Sequence, residues 1–495
     1  MIGLSRRTAL KTSGALLFAS GVYPTVATAD NDSIANWHSF GGDLGNTAHN
    51  PNARVPKENV SSHWRVDGLP GFPSGPAVVD NVVYFTSAQG EAFAISLATG
   101  DRRWRTSLDE PIGDIADDIP TPCVAGGSVY IGSKNGKLYS LDAVTGNENW
   151  SISTSSGVTS PVAASDGQVY FIDDGVNAVE ADSGEEKWRF DEEFFFESGL
   201  GVTDGTVYVG SSEGTMYALS GSDGSVVWTT DLGSAVMAPP AVTDEAVYVG
   251  TENGDFFSLS RSDGAPNWTT ELDQDIITSP AVSSSRVFIG GEGQSDFYAF
   301  DKSSGSVEWT ANISEDEESV RASPAVADGV VFITQGDLRA IDAETGQDLW
   351  RYPRGDFISS SPAVVDGAVV VGNWDHSVYA LSNGELAPSA STETANETET
   401  ETEASEQTEA SEQTETSEQT ETSEETTTST NQSNGDAEQT SGQEPQSTSE
   451  DTVNRGFLTN GEEGQLGALS DPYVLTVTGF ALSVAGVLHS MLGGQ

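Results

Sequence analysis

Cysteine is nearly absent from this 495-residue chain, with Cys123 the single example. No disulfide can form within the chain, thiol metal sites are excluded, and there is no N-terminal cysteine to carry a lipid. Cys123 stands at the alanine position of a repeat (Thr121-Pro122-Cys123-Val124), where a buried, inert thiol is expected. Basic residues are also scarce. Twenty-one lysines and arginines, only six of them lysine, stand against 76 acids, for a formal charge of −55. Such a chain repels a phosphate backbone, which argues against nucleic acid as a partner. The five histidines, His38, His49, His63, His376 and His489, show no metal-ligand spacing. Neither a Ser/His/Asp constellation nor a glycine-rich phosphate loop stands out. Self-repulsion of this size weakens a compact state in dilute salt, and a Debye length near 3 Å at molar salt screens it. The composition therefore predicts a salt-accumulating halophile, the plainer alternative being a merely acidic protein.

What is present in abundance is periodic tryptophan. Trp64, Trp104, Trp150, Trp188, Trp228, Trp268, Trp309 and Trp350 are separated by 40, 46, 38, 40, 40, 41 and 41 residues, and only Trp37 and Trp374 stand outside the series. A period of roughly 40–45 residues made of short strands is that of propeller blades. In the repeat ending at Trp350, Ser323-Pro324-Ala325-Val326 leads to a turn at Asp328-Gly329 and then to Val330-Val331-Phe332-Ile333. A turn near Gln335-Gly336, the run Leu338-Arg339-Ala340-Ile341 and a turn at Thr345-Gly346 follow. Short β-rich runs punctuated by such glycines predict hairpins, because tight turns need positive φ. Sheets apolar on both faces must be buried by stacking on neighbours. An indole wedged between two of them buries ~150–250 Å², roughly 4–6 kcal/mol gross at ~25 cal/mol per Å². A cofactor-stacking row and a carbohydrate platform are the alternatives to a packed core.

Seven segments carry the full pattern. An eighth, from Ser361-Pro362-Ala363-Val364 to Val378-Tyr379-Ala380-Leu381, stops without a tryptophan, whereas Trp64-Arg65-Val66 has no inner strands before it. The two pieces predict an all-β, eight-bladed propeller of four-stranded antiparallel blades, closed by the N-terminal strand. Seven blades is the alternative if a less regular repeat fails to form one. The repeats opening at Ser198-Gly199-Leu200 and turning at Asp173-Asp174-Gly175 are the least regular.

The ends read differently. Residues 1–29 combine Ser5-Arg6-Arg7-Thr8-Ala9-Leu10-Lys11, an apolar stretch and Ala27-Thr28-Ala29, the order of a twin-arginine export signal. Removing it leaves 18 − 76 = −58. Residues 30–384 form the propeller region, and 385–454 a Thr/Ser/Glu-rich stalk unable to bury a core. After a juxtamembrane stretch, 455–472, the uncharged residues 473–492 are long enough to span one bilayer core, roughly 30 Å. A membrane anchor is expected there, a partner-binding helix being the alternative.

The stretch Ala340-Ile341-Asp342-Ala343-Glu344-Thr345-Gly346-Gln347-Asp348-Leu349-Trp350 resembles the tryptophan-docking motif of quinoprotein-type propellers, and 140–150 and 299–309 match it loosely. The lead-in Trp37-His38-Ser39-Phe40-Gly41-Gly42-Asp43, with Asn46-Thr47, resembles that of the same superfamily. The resemblance covers about 37–382. It implies either a dehydrogenase using pyrroloquinoline quinone and calcium or the non-enzymatic BamB-like branch. The dehydrogenase branch implies an adjacent-cysteine disulfide and long blade insertions, both missing here. Quinone and calcium are therefore not expected as cofactors.

Three surface candidates remain. Asp114, Asp117 and Asp118 in the 109–121 connection offer oxygen ligands for a hard cation, though a solvated acidic loop is the simpler reading. Phe194, Phe195 and Phe196, set among acids, either pack inward or form a partner surface, and Arg321 lies in another acidic connection. The expected function is a monomeric, surface-tethered scaffold that binds envelope or secreted proteins without catalysis. A quinone-dependent dehydrogenase and a ligand- or glycan-binding module are the alternatives.

Overall fold

In the computed structural model, the strand boundaries fall where the turn residues place them. The structure describes residues 36–386 other than 110, 114–118, 193–194, 197, 292–295, 314–321, 354–357, 359 and 385. Of two units, Met1–Glu397 and Thr398–Gln495, the first holds every described residue. The expected signal, stalk and anchor segments lie outside the described residues.

Eight antiparallel sheets follow one another along the chain. Blade 1 (77–107) sets the pattern: Ala77–Val79 is innermost, then Val82–Ser87, Glu91–Ser96 and outermost Arg102–Ser107. Blades 2 (123–153), 3 (163–190), 4 (200–231), 5 (241–271), 6 (281–312) and 7 (325–352) repeat it. Blade 8 takes three strands from 363–382, and Ser61–Val66 is its fourth. That strand pairs antiparallel with Ser377–Ser382, Trp64 facing Ala380. The predicted eight-bladed, N-terminally closed propeller is the fold observed.

Neighbouring innermost strands touch one another around an axis. The second and third strands are buried on both faces, as in Val82–Ser87, so apolar packing lies between blades. One cluster joins Tyr84, Ala94 and Trp104 of blade 1 to Val129, Ile131 and Tyr139 of blade 2. Another joins Tyr208 and Trp228 of blade 4 to Val247 and Leu259 of blade 5. Burial at ~25 cal/mol per Å² thus rewards stacking of blades, and no blade is complete alone.

Candidate docking site

Each ladder tryptophan lies within an outermost strand directly across from alanine or serine: Trp104 faces Ala94 and Trp268 faces Ser258. A register shift beside each of these pairs, as at Ala94/Ile95, marks a bulge. The small partner leaves room for the ring to lie over, and an aromatic on the second strand flanks it, as with Tyr208 and Trp228 at 5.9 Å. The indole N–H then crosses to the next blade. Trp104 donates to Ala143 O at 2.9 Å, Trp188 to Gly221 O at 2.8 Å and Trp228 to Arg261 O at 2.9 Å. Trp64 donates to Leu97 O of blade 1 at 2.6 Å, which joins blade 8 to blade 1. Blade 7 is the exception, because Trp350 donates to Pro56 O of the N-terminal segment at 2.8 Å. Trp64, Trp104, Trp188 and Trp228 are buried, whereas Trp150, Trp268, Trp309 and Trp350 are half-buried.

The residues around Asp342 explain the docking motif. Asp342 Oδ1 accepts from the Thr345 N–H and the Thr345 hydroxyl, each at 2.8 Å, and fixes the turn. Gly346 then lies at φ 73° under the ring of Trp309, where an added Cβ would come within 2.8 Å. Glycine is required for both conformation and space. Asp301 works alike, accepting from the Ser303 and Ser304 hydroxyls at 2.6 and 2.7 Å. These bonds hold its carboxyl down to about 2.

A different device occupies the axis. The free edges of the innermost strands of blades 1, 2 and 4 to 7 each give one backbone N–H to residues 37–50, which collect them in blade order. Trp37 O accepts from Val78 of blade 1 and His38 O from Val124 of blade 2. Leu44, Gly45, Thr47 and Ala48 carbonyls accept from Val202, Val242, Val282 and Val326 of blades 4 to 7, at 2.6–2.7 Å. His49–Asn50 runs parallel to Ala325–Ala327, and Asn50 Nδ2 reaches Val364 O of blade 8 at 2.9 Å. The segment is a collar that travels once around the channel. At blade 3 the Cys123 thiol packs in one apolar cluster with Val162 and Ala164, and burial pushes it up to about 12. Within the collar Asn46 Nδ2 donates to Leu200 O and Pro240 O, at 2.9 and 3.3 Å. Asp43 accepts from the Thr47 N–H and hydroxyl, while burial pushes its carboxyl up. The sequence signal was the cluster Gly41-Gly42-Asp43 with Asn46-Thr47, which was legible as a lead-in and not as a ring.

Of the surface candidates, Asp114, Asp117, Asp118, Phe194 and Arg321 lie outside the described residues. Phe196 is 4% exposed and packs on Phe190 and Tyr217, whereas Phe195 is 66% exposed. The irregular turn at Asp173 is held by Arg189, whose Nη1 donates to Asp173 Oδ1 at 2.9 Å and to Asn177 Oδ1 at 3.0 Å. Among the described residues no three His, Cys, Asp or Glu side chains are grouped to hold a metal. Sequence reasoning passed over the outer edge of blade 4. There Val226 and Val227 are 47% and 56% exposed beside a cleft of about 540 Å³ lined by Tyr208, Trp228, Asp244, Glu245 and Arg261. The only signal was two valines where blades 1, 2, 3, 6 and 7 place at least one charged residue.

Bare four-stranded blades, tryptophan docking and an internal collar define an eight-bladed propeller of the quinoprotein type. The family model described as outer membrane protein assembly factor BamB matches residues 57–175, 114–193, 172–279 and 272–470, and the chain belongs to that family. No curated protein matches the sequence. Among solved structures, BamB from Moraxella catarrhalis is 18% identical, with a TM-score of 0.55, 65% of this chain covered and 99% of that one. Quinohemoprotein alcohol dehydrogenase from Comamonas testosteroni is 16% identical, with a TM-score of 0.59 and coverage of 72% and 81%. The computationally designed Ika8 protein is 17% identical, with a TM-score of 0.58 and coverage of 65% and 99%. At these identities the likeness is one of fold, shared by an enzyme and by BamB.

Proposed function

We propose that this chain is an exported, membrane-tethered propeller that binds other envelope or secreted proteins as a scaffold and performs no chemistry. The observation that carries the reading is the collar. Residues 37–50 fill the inner rim of the channel with backbone hydrogen bonds, so that blade edges and connecting loops are the surface left for a partner. The leader-like residues 1–29 and the apolar residues 473–492 support export and tethering.

We propose that pyrroloquinoline quinone is not a cofactor of this chain. Its carboxylates call for cations, yet Arg105, Arg189, Arg261 and Arg339 are already engaged by Glu91, Asp173, Asp204 and Asp348. The single thiol, Cys123, is buried against blade 3, away from any disulfide shelf. No reaction step is assigned to the quinone.

The test is affinity capture from native membranes in high salt, paired with an absorption spectrum of the purified protein. Reproducible co-purification of defined envelope proteins without a quinone band supports the scaffold. Dye-linked oxidation of an alcohol or sugar after addition of quinone and calcium overturns it.

A further inference from the structure

Propellers expose eight outermost strands, and each is an edge that can accept another strand. Seven are guarded. Charged residues sit within two positions of the tryptophan in blade 1 (Arg102, Arg103), blade 2 (Glu148), blade 3 (Glu186, Lys187), blade 6 (Glu308), blade 7 (Asp348, Arg351) and blade 8 (Arg65). Blade 5 carries Pro266, which removes a backbone donor from its edge. Blade 4 alone reads Val226-Val227-Trp228-Thr229-Thr230 without charge or proline, ending at Asp231. The bulge beside the tryptophan recurs in all the blades, so the difference lies in the side chains.

We propose that the outer strand of blade 4, Val226–Asp231, is a docking edge for an extended, alternating apolar and basic segment of another protein, added as a fifth strand. This rests on the scaffold reading. Val226 and Val227 supply the exposed apolar surface. Charge selects the partner. Val227 lines the neighbouring cleft together with Asp244 and Glu245, and Asp231 closes the far end of the strand. The cation lining that cleft, Arg261, is held by Asp204 and lies 3.8 Å from Asp244, which leaves Glu245 and Asp231 as acids that no salt bridge engages among the described residues. A second copy of this chain would bring like charge to the same edge, so a basic partner is favoured. The backbone is ready for it. Val226 stands across from Leu219 as Pro266 stands across from Leu259, so the N–H at this position is dispensable to the blade and faces outward.

That equivalence supplies the test. Val226→Pro imports a residue the neighbouring blade already accommodates, and Val307→Pro places the same change at the matching position of blade 6. The probe is a labelled peptide of about ten residues alternating valine and lysine, read by fluorescence anisotropy on the intact protein. Binding weakened at least about tenfold by V226P, and unchanged by V307P, is the expected result. A proline-interrupted peptide of equal charge should also bind about tenfold more weakly at the same salt. Equal loss in both variants, or equal binding of the interrupted peptide, overturns the assignment to blade 4 and leaves the scaffold reading standing. A dimer of the free protein abolished by V226P also overturns it, in favour of a second copy. Quinone-dependent turnover with no peptide binding overturns both.

Discussion

Between most adjacent blades one device recurs: an indole, a carbonyl on the next blade, and a glycine beneath the ring, as with Trp188, Gly221 and Gly224. Around the axis the contacts all come from one continuous segment of chain. Trp37, Leu44, Gly45 and Ala48 each offer a carbonyl to a different innermost strand, and Asn46 and Asn50 add side-chain donors. The outer set is repeated and local to each pair of blades, so loss of one member leaves the others in place. The collar is a single strand of chain that couples blades far apart in sequence, as Ala48 and Val326 are. Closure is held from both places, by Trp64 against blade 1 and by the collar around the axis.

The largest expected effect acts on the two regions together. With a formal charge of −55, dialysis from molar salt into dilute buffer should unfold the propeller. Full retention of the β spectrum by circular dichroism there would remove the halophile argument. Next, Trp228→Ala should cost ~3–5 kcal/mol through the cavity it leaves, measured by denaturant unfolding in high salt. A loss below about 1 kcal/mol would mean that the ladder does not hold the blades together.

Two smaller changes separate ring from collar. Gly224 lies at φ 72°, and an added Cβ would come within 2.6 Å of the Trp188 ring. Gly224→Ala should cost about 1–3 kcal/mol by overpacking, visible as a lower Tm. Asn46→Ala would strip donors from Leu200 O and Pro240 O. It should cost about 1–3 kcal/mol by leaving buried carbonyls unpartnered. If it also speeds hydrogen exchange at Val202 and Val242, the collar binds the inner strands; exchange unaltered there would make it decoration.

The smallest effect concerns the turns. Because the Asp301 carboxyl is held down to about 2, below an unfolded value near ~3.9, its stabilisation is present above about pH 4 and is lost as pH falls toward 2. The stability gap between the wild type and Asp301→Asn should therefore be open at pH 6 and close near pH 2. A gap independent of pH would show that the hydroxyl contacts of Ser303 and Ser304 are not coupled to the charge.

Much of the fold was readable because each blade repeats its signals within 40-odd residues. Asn253-Gly254 and Thr345-Gly346 name their turns, and Trp64 without inner strands names the closing strand. The unguarded edge of blade 4 was not readable in the same way, because the exposure of Val226 and Val227 is set only once the neighbouring blades have packed. The Phe194–Phe196 cluster was not, because alternate exposure of Phe195 and burial of Phe196 depends on Phe190 and Tyr217. The collar was not either, because its contacts are made by backbone carbonyls, which leave no side-chain pattern to read.

Sequence alone determined the number of blades, their order and the strand that seals the ring. Those features follow from turn glycines and aromatic spacing acting over one repeat. Only the tertiary structure decided which carbonyls meet which inner strands, that Cys123 is buried with Ala164 of blade 3, and which edge is left unguarded. These depend on groups brought together across hundreds of residues by closure of the ring, and on exposure, which exists only once neighbouring blades have packed.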